Sequence, residues 1–126
     1  MHSILRKYEF YLAEIRLKQR IEKDSFFLDL RAGLVILYAD LPIDTMTVIE
    51  GNYLLSQSPH YKFIRDERVN WKLIHLLMAR SLVRLSEFED ALFEVQKILP
   101  DFYVDVSTPS GRSFLLEKIK ELLSNI

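Results

Sequence analysis

Apolar residues recur three and four positions apart along most of this chain, the spacing that places them on one face of an α-helix. Only three glycines and four prolines interrupt the 126 residues. One short segment alternates apolar and polar residues like a β-strand, but it has no second segment to pair with. The sequence therefore predicts an all-α fold in which antiparallel helical hairpins pack on one another.

The composition is that of an ordinary globular domain, with 49% apolar and 28% charged residues. A chain of this length fits one domain with a buried core, so we expect residues 1–126 to form a single helical unit. The 17 basic residues nearly balance the 18 acidic ones, which leaves no overall positive field to attract nucleic acid or an anionic membrane. Electrostatic recognition is therefore expected to be local.

We expect neither a membrane span nor a secretory signal. The longest apolar run covers residues 34–39, far short of the roughly 20 residues that a spanning helix needs. The first residues pass at once into a charged amphipathic pattern. Cysteine is absent, which excludes disulfides and thiolate chemistry and fits both reducing and oxidising compartments. The compartment stays open, with the cytoplasm favoured.

Apolar spacing and helix-start signals predict five or six helices. Their expected ranges are residues 4–22, 26–39, 42–56, 66–85, 86–99 and a last helix after residue 108. Asp24 or Ser25 is expected to cap the second helix, because a short side-chain oxygen accepts unpaired backbone N–H groups. Pro42 suits the first turn of the third helix, and the acidic pair Asp66 and Glu67 favours the start of the fourth.

Three local signals concern single residues. Ser86 and Glu89 have the spacing of a capping box, which predicts that the fifth helix begins at Ser86. Ser107 or Thr108, just before a proline, is predicted to begin the last helix. Gly33 costs its helix about 1 kcal/mol relative to alanine, and the expected compensation is the close approach of another helix.

Two longer connections are predicted between these helices. Residues 56–65 contain a proline and clustered polar residues, and Tyr61 and Phe63 are expected to anchor this connection to the core. Residues 101–111 carry the strand-like alternation noted above. Without a partner strand, we predict an extended loop there.

Residues 75–100 resemble one tetratricopeptide repeat (TPR), a helix–turn–helix unit that stacks on its neighbours. The family places a small residue in the first helix, a large apolar residue three positions on, an aromatic residue six later and an alanine three after that. This chain has Ala79, Leu82, Phe88 and Ala91 at those spacings. The resemblance implies a right-handed TPR-like stack, with the two alanines packed at a close helix crossing.

The resemblance covers about a fifth of the chain, and two positions depart from the family pattern. His75 stands where the family has a tryptophan, and the closing proline comes early, at Pro100. An earlier helix pair aligns only loosely with the repeat. Apolar residues at the spacings of the repeat nevertheless predict one buried cluster between Leu77 and Val95. Its expected members are Leu77, Met78, Ala79, Leu82, Phe88, Ala91, Leu92 and Val95.

The resemblance also implies a binding face. Positions of the first repeat helix that face the groove in the family fall on Leu76, Arg80, Val83 and Arg84. The planar guanidinium group of arginine can hold a carboxylate through two parallel hydrogen bonds, so the implied partner is an acidic, partly hydrophobic protein segment. The alternative is that the two arginines, one turn apart, only keep one side of an apolar helix in water.

The sequence contains no motif that specifies chemistry. The histidines His2, His60 and His75 lack the i, i+3 or i, i+4 spacing of paired metal ligands, and no phosphate-binding glycine loop or G-x-S-x-G motif occurs. We interpret His75 as a hydrogen-bonded core residue and His60 as solvated. The acidic residues between 87 and 94 are assigned to favourable helix-start electrostatics, and the basic residues between 16 and 23 to a solvated helix end.

We therefore expect a protein–protein interaction module, with no catalytic residues, metal or cofactor. Two alternatives stay open. The first is an enzyme or small-ligand protein with a pocket near His75, which would need a few polar groups converging on a cavity. The second is a structural subunit that self-associates through an uncovered apolar end of the stack.

Overall fold

The computed structural model describes residues 9–17 and 28–126. All regular secondary structure in these ranges is helical, which confirms the all-α prediction. The helices are α1 at residues 9–17, α2 at Leu28–Asp40, α3 at Asp44–Gln57, α4 at Trp71–Arg84, α5 at Phe88–Gln96 and α6 at Pro109–Ser124. The remainder of the first predicted helix and its neighbouring cap at Asp24 or Ser25 lie outside the described residues.

Helix α4 is the centre of the packing. It contacts α2, α3, α5 and α6, and α2 also packs along α3. Short turns join α2 to α3 and α4 to α5, so each pair is a helical hairpin. Helices α3 and α5 lie on α4 without contacting each other. This arrangement leaves a gap between α3 and α5, and α4 forms its floor.

The core consists of two main clusters on different sides of α4. The first core cluster joins α2, α3 and α4, with Ala32, Val35, Ala39, Leu54, Tyr61, Ile74, Leu77 and Met78. The second core cluster joins α4, α5 and α6, with Ala79, Leu82, Ala91, Leu92, Val95, Leu115 and Ile119. The prediction of one cluster was therefore wrong in two respects. Leu77 and Met78 face the first hairpin, and Phe88 is only half-buried.

A close approach of two helices occurs at a different glycine from the one predicted. A Cβ atom at Gly33 would meet no atom of the described residues within 4 Å, so the expected close approach is absent from them. At Gly51, by contrast, a Cβ would lie 2.5 Å from Sδ of Met78 and 3.5 Å from Cγ2 of Ile74. Glycine 51 thus lets α3 approach α4 closely, within the first core cluster.

Helices α3 and α4 begin later than the sequence predicted. Helix α3 begins at Asp44, with Pro42 in the turn before it. Helix α4 begins at Trp71, where the Asn70 side chain accepts hydrogen bonds from the amides of residues 72 and 73. Asp66, predicted to start α4, instead lies in the preceding turn. There two hydrogen bonds from the side chain of Arg68 and one from its amide lower the pKa of the Asp66 carboxyl to about 2.

The connection before α4 is anchored as predicted. Tyr61 is 4% exposed within the first core cluster, and Phe63 packs against that cluster. The Tyr61 hydroxyl donates a hydrogen bond of 2.6 Å to Oδ1 of Asp29 in α2. Burial raises the pKa of the Tyr61 phenol, and the hydrogen bond to Asp29 raises it further. The connection therefore ties the start of α2 to the start of α4.

The predicted extended loop and the start of the last helix are also confirmed. Residues 102–105 are irregular, and Thr108 caps α6 by accepting a hydrogen bond of 3.0 Å from the amide of Gly111. Both the amide and the hydroxyl of Thr108 donate to the carbonyl of Asp105. The chain consequently bends back so tightly that the Asp105 carbonyl faces Gly111 at close range.

The predicted capping box at Ser86 was wrong. The N-cap of α5 is Glu87, and it has no side-chain capping bond. Ser86 has φ of +61°, so it belongs to the end of α4 instead. Its amide donates to the carbonyl of Val83, and the amide of Glu87 donates to that of Leu82. This is a Schellman ending, in which glycine is the preferred residue at the position of Ser86.

We expect Ser86→Gly to raise the free energy of unfolding by about 0.5–1 kcal/mol, because a left-handed backbone strains any residue with a Cβ. Urea denaturation followed by circular dichroism measures the change. Ser110→Gly, in the first turn of α6, is the matched control and is expected to destabilise. If Ser86→Gly also destabilised the protein, the Schellman ending of α4 would be contradicted.

Candidate functional site

The four residues predicted to bind a partner lie on α4 with unequal exposure. Leu76 is only 2% exposed, so the prediction that it offers apolar surface is corrected: its side chain is covered. Val83 is half-buried and packs against the second core cluster. Arg80 is partly buried, and Arg84 is exposed. The two arginines therefore remain as the accessible polar groups of this face.

Arg84 is held in place by a carboxylate from the neighbouring hairpin. Its Nη1 atom lies 3.3 Å from Oδ1 of Asp44, the first residue of α3. The same oxygen accepts a hydrogen bond of 2.9 Å from the buried hydroxyl of Ser81. Asp44 therefore neutralises part of the positive charge and orients the arginine at the surface.

Arg80 has no such partner. Its Nε atom is buried without a hydrogen bond, and no ion pair to its guanidinium occurs among the described residues. Burial lowers the pKa of Arg80, and the positive charge of Arg84 lowers it further. Arg31 also has a buried Nε without a partner, but its Nη1 atom pairs with Glu50 at 3.2 Å. Arg80 is thus a partly buried cation that lacks a counter-ion in contact.

A second polar arrangement occupies the opposite side of α4. About two and a half helical turns separate His75 from Arg84, so the two side chains point in opposite directions. His75 faces the gap between α3 and α5, where a cavity of about 430 Å³ opens. We call this cavity the α3–α5 groove. Its lining residues are Asn52, Leu55, Ser56, Pro59, His60, Trp71, His75, Phe93, Glu94 and Lys97.

A histidine–carboxylate pair lies in this groove. Nδ1 of His75 is 2.5 Å from Oε2 of Glu94, and the two side chains are only 13% and 12% exposed. An ionised carboxylate can only accept, so pairing with an ionised Glu94 requires the His75 tautomer with its proton on Nδ1. The hydrogen bond predicted for His75 is present, but the residue lies in the floor of the groove rather than in the core. Glu94, assigned from the sequence to helix-start electrostatics, has this specific partner instead.

Aromatic rings continue from His75 along the groove. The Trp71 ring meets the rings of His60 and His75 edge to face, with centroid distances of 5.8 Å and 6.0 Å. On the α5 side, Nζ of Lys97 lies 4.4 Å from the ring centroid of Phe93, which is 55% exposed. His60 is exposed, as predicted, and its ring also contacts that of Trp71.

Sequence reasoning raised a pocket near His75 only as an alternative, and it did not identify the walls of this groove, because they come from segments far apart in the chain. The signal in the sequence was indirect: the polar residue His75 stands in an otherwise strongly apolar helix. Nothing in the spacing showed that α3 and α5 would stand apart.

A smaller set of polar groups surrounds the turn between α4 and α5. Glu89 and Asp90 lie in the first turn of α5, near Arg112 of α6. The guanidinium of Arg112 is 4.6 Å from the Phe88 ring centroid, and its Nε donates to the carbonyl of Val106 at 2.8 Å. The arginine is thus engaged within the fold, and the two carboxylates have the favourable helix-start position that the sequence predicted.

The described residues contain no group of three or more histidine or acidic side chains placed to hold a metal ion. Within the same ranges, no helix is both long enough and apolar enough to cross a membrane. The polar groups available for recognition are therefore the Arg80–Arg84 pair on one side of α4 and the α3–α5 groove on the other. Comparisons with protein-family models, with curated proteins and with solved structures gave no match to this chain.

Proposed function

We propose that this protein is an interaction module that binds an acidic, partly hydrophobic segment of another protein on the Arg80–Arg84 side of α4. The observation that carries the proposal is the partly buried guanidinium of Arg80, which has no counter-ion in contact. A buried polar group without a partner costs free energy in the folded protein. A carboxylate from a partner would instead pair with the charge of the guanidinium, and a carboxylate–guanidinium pair is among the stronger polar contacts in proteins.

The packing of the helices supports this proposal. Helices α2, α4 and α6 contact in sequence, while α3 and α5 lie outside them and apart. Stacked hairpins of the TPR kind have this alternation, with the first helices of successive repeats lining a shared concave surface. On that arrangement, Arg80 and Arg84 would face the surface along which such proteins bind extended segments.

The surroundings of the two arginines define the partner's chemistry. Asp44 already balances Arg84, so the uncompensated positive charge is centred on Arg80. The negative charges of Asp40 and Asp44 partly offset the lowering of the Arg80 pKa. The same charges would repel a strongly acidic segment. With Leu76 covered, half-buried Val83 is the apolar contact left beside the arginines, so one carboxylate next to an apolar side chain suits this surface better than a run of acidic residues.

A peptide-display selection tests the function directly. Wild-type protein is the bait for a random peptide library, and the affinities of enriched peptides are then measured by fluorescence polarisation. We expect the enriched peptides to share one aspartate or glutamate beside an apolar residue. The double variant Arg80→Met, Arg84→Met should bind them at least about tenfold more weakly, the effect of losing a charged hydrogen bond.

Arg65→Met is the matched control, because Arg65 is an exposed loop arginine away from α4. It should bind the same peptides as the wild type does. Circular dichroism must show that all variants are equally folded. Enriched peptides without a shared carboxylate, equal binding by the double variant, or failure to enrich any peptide would each overturn the proposal.

The unpaired Nε of Arg80 also leads to a prediction about the free energy of unfolding. Arg80→Met should raise the free energy of unfolding by about 1 kcal/mol, because the aliphatic stem is kept while the unpaired buried polar group is removed. Arg84→Met is the control, since it breaks the ion pair with Asp44 and should be neutral or destabilising by up to about 1 kcal/mol. Urea denaturation measures both. A loss of stability in Arg80→Met would show that the guanidinium already has the interactions it needs.

A further inference from the structure

The α3–α5 groove has the size and construction of a small-molecule site. Its volume of about 430 Å³ falls in the range of roughly 300–1,000 Å³ that is typical of ligand pockets. It exists because α3 and α5 each pack on α4 but not on each other. Both walls and the floor are thus regular helices, which hold lining side chains more rigidly than loops do.

Aromatic surface dominates two sides of the groove. Trp71 and His75 rise from α4, and Phe93 faces the groove from α5 with 55% of its surface exposed. Planar rings in a ligand pack well against such side chains, in offset or edge-to-face arrangements. The groove therefore favours a flat aromatic ligand over a branched aliphatic one.

The two charged groups of the lining, Glu94 and Lys97, differ in whether they already have a hydrogen-bonding partner. Glu94 is the one carboxylate among the lining residues, and the hydrogen bond to His75 already occupies it. Lys97 lies on the same wall with its Nζ over the ring of Phe93, and no hydrogen bond or ion pair to this Nζ occurs among the described residues. Lys72 lies beside the floor, with Nζ 5.6 Å from the Trp71 ring centroid. The positive charge of the groove is thus the part available to a ligand.

We propose that the α3–α5 groove binds a small planar aromatic carboxylate. The ring of the ligand packs between Trp71 and Phe93, and its carboxylate lies near the ammonium group of Lys97. The hydrogen bond between His75 and Glu94 lessens the repulsion between that carboxylate and the ligand. This site is separate from the Arg80–Arg84 surface, so the proposal does not depend on the proposed interaction function.

Nuclear magnetic resonance titration tests the proposal with two probes that share the naphthalene ring, one with a carboxylate and one with a neutral amide. The acid is 2-naphthoate, and its neutral counterpart is 2-naphthamide. The single indole N–H signal of Trp71, the only tryptophan in the chain, reports directly on the groove. We expect 2-naphthoate to shift this signal and the amides of residues 93–97, with a dissociation constant of about 1 mM or below, as its dozen or so atoms allow.

Lys97→Gln identifies the charged contact. It should weaken 2-naphthoate binding about two- to fivefold, as expected for a partly exposed ion pair, without changing the weaker binding of 2-naphthamide. Lys120→Gln on α6 is the control with the same charge change, and it should bind both probes like the wild type. The proposal is overturned by equal affinities for the acid and the amide, by shifts centred elsewhere, by insensitivity to Lys97→Gln, or by no shift at 5 mM acid, a concentration about five times the expected limit.

Discussion

Gly111→Ala is expected to lower the free energy of unfolding by about 2–3 kcal/mol, the upper part of the range for overpacked sites. A Cβ at Gly111 would lie 1.7 Å from the carbonyl oxygen of Asp105 and 2.5 Å from its carbonyl carbon. These are backbone atoms, so the clash cannot be relieved by rotating a side chain. The turn before α6 must move, which would disturb the Thr108 cap that accepts the Gly111 amide.

Gly33→Ala is the matched control for this prediction, because it makes the same change inside another helix. No atom of the described residues lies within 4 Å of the Cβ position there, so the alanine should stabilise α2 by about 0.5–1 kcal/mol. Urea denaturation curves of the two variants should therefore shift in opposite directions. A Gly111→Ala variant as stable as the wild type would show that the Asp105 carbonyl does not exclude a Cβ atom at position 111.

Gly51→Leu is expected to cost about 3 kcal/mol, because it inserts a branched side chain where α3 crosses α4. The added Cβ alone would lie 2.5 Å from Sδ and 2.7 Å from Cγ of Met78, which is fully buried. Met78 cannot swing into solvent without opening the first core cluster. The two helices would have to separate, with loss of contact throughout that cluster.

The same crossing predicts a compensating substitution. Met78→Ala alone should cost about 2–5 kcal/mol, the usual range for truncating a buried methionine. In the double variant the leucine at 51 fills the space left at 78, so the combined cost should be smaller than the sum by at least about 1 kcal/mol. The four-variant thermodynamic cycle, measured by urea denaturation, gives this coupling energy. Simple additivity would contradict the described contact between α3 and α4.

Local signals in the sequence predicted part of the fold. Thr108 followed by Pro109 marked the start of α6 where it is found, since both act within one helical turn. The apolar periodicity predicted that Ala79 and Ala91 would be buried, and each is 0% exposed. Tyr61 was predicted to anchor its connection because a large ring among polar residues gains most by burial. In each case the cause lies within a few neighbouring residues.

Predictions were wrong where a residue was compatible with two different local structures. Ser86 stands between two helices, and its hydroxyl could have capped the second one. The structure instead ends the first helix there, with the backbone at φ of +61°, because the Schellman hydrogen bonds satisfy carbonyls that would otherwise be unpaired. Asp66 was similarly placed at a helix start. Its contact with Arg68 two residues on forms a turn before Asn70 caps α4.

The sequence by itself determined that the chain would be helical, where most apolar faces would lie, and that Arg80 and Arg84 would share one side of a helix. These properties depend on spacing along one segment, and the period of the helix converts spacing into direction. Only the tertiary structure decided that the side chain of Leu76 is covered and that α3 approaches α4 closely at Gly51. It alone also brought Glu94 to His75, because that contact depends on how α4 and α5 pack.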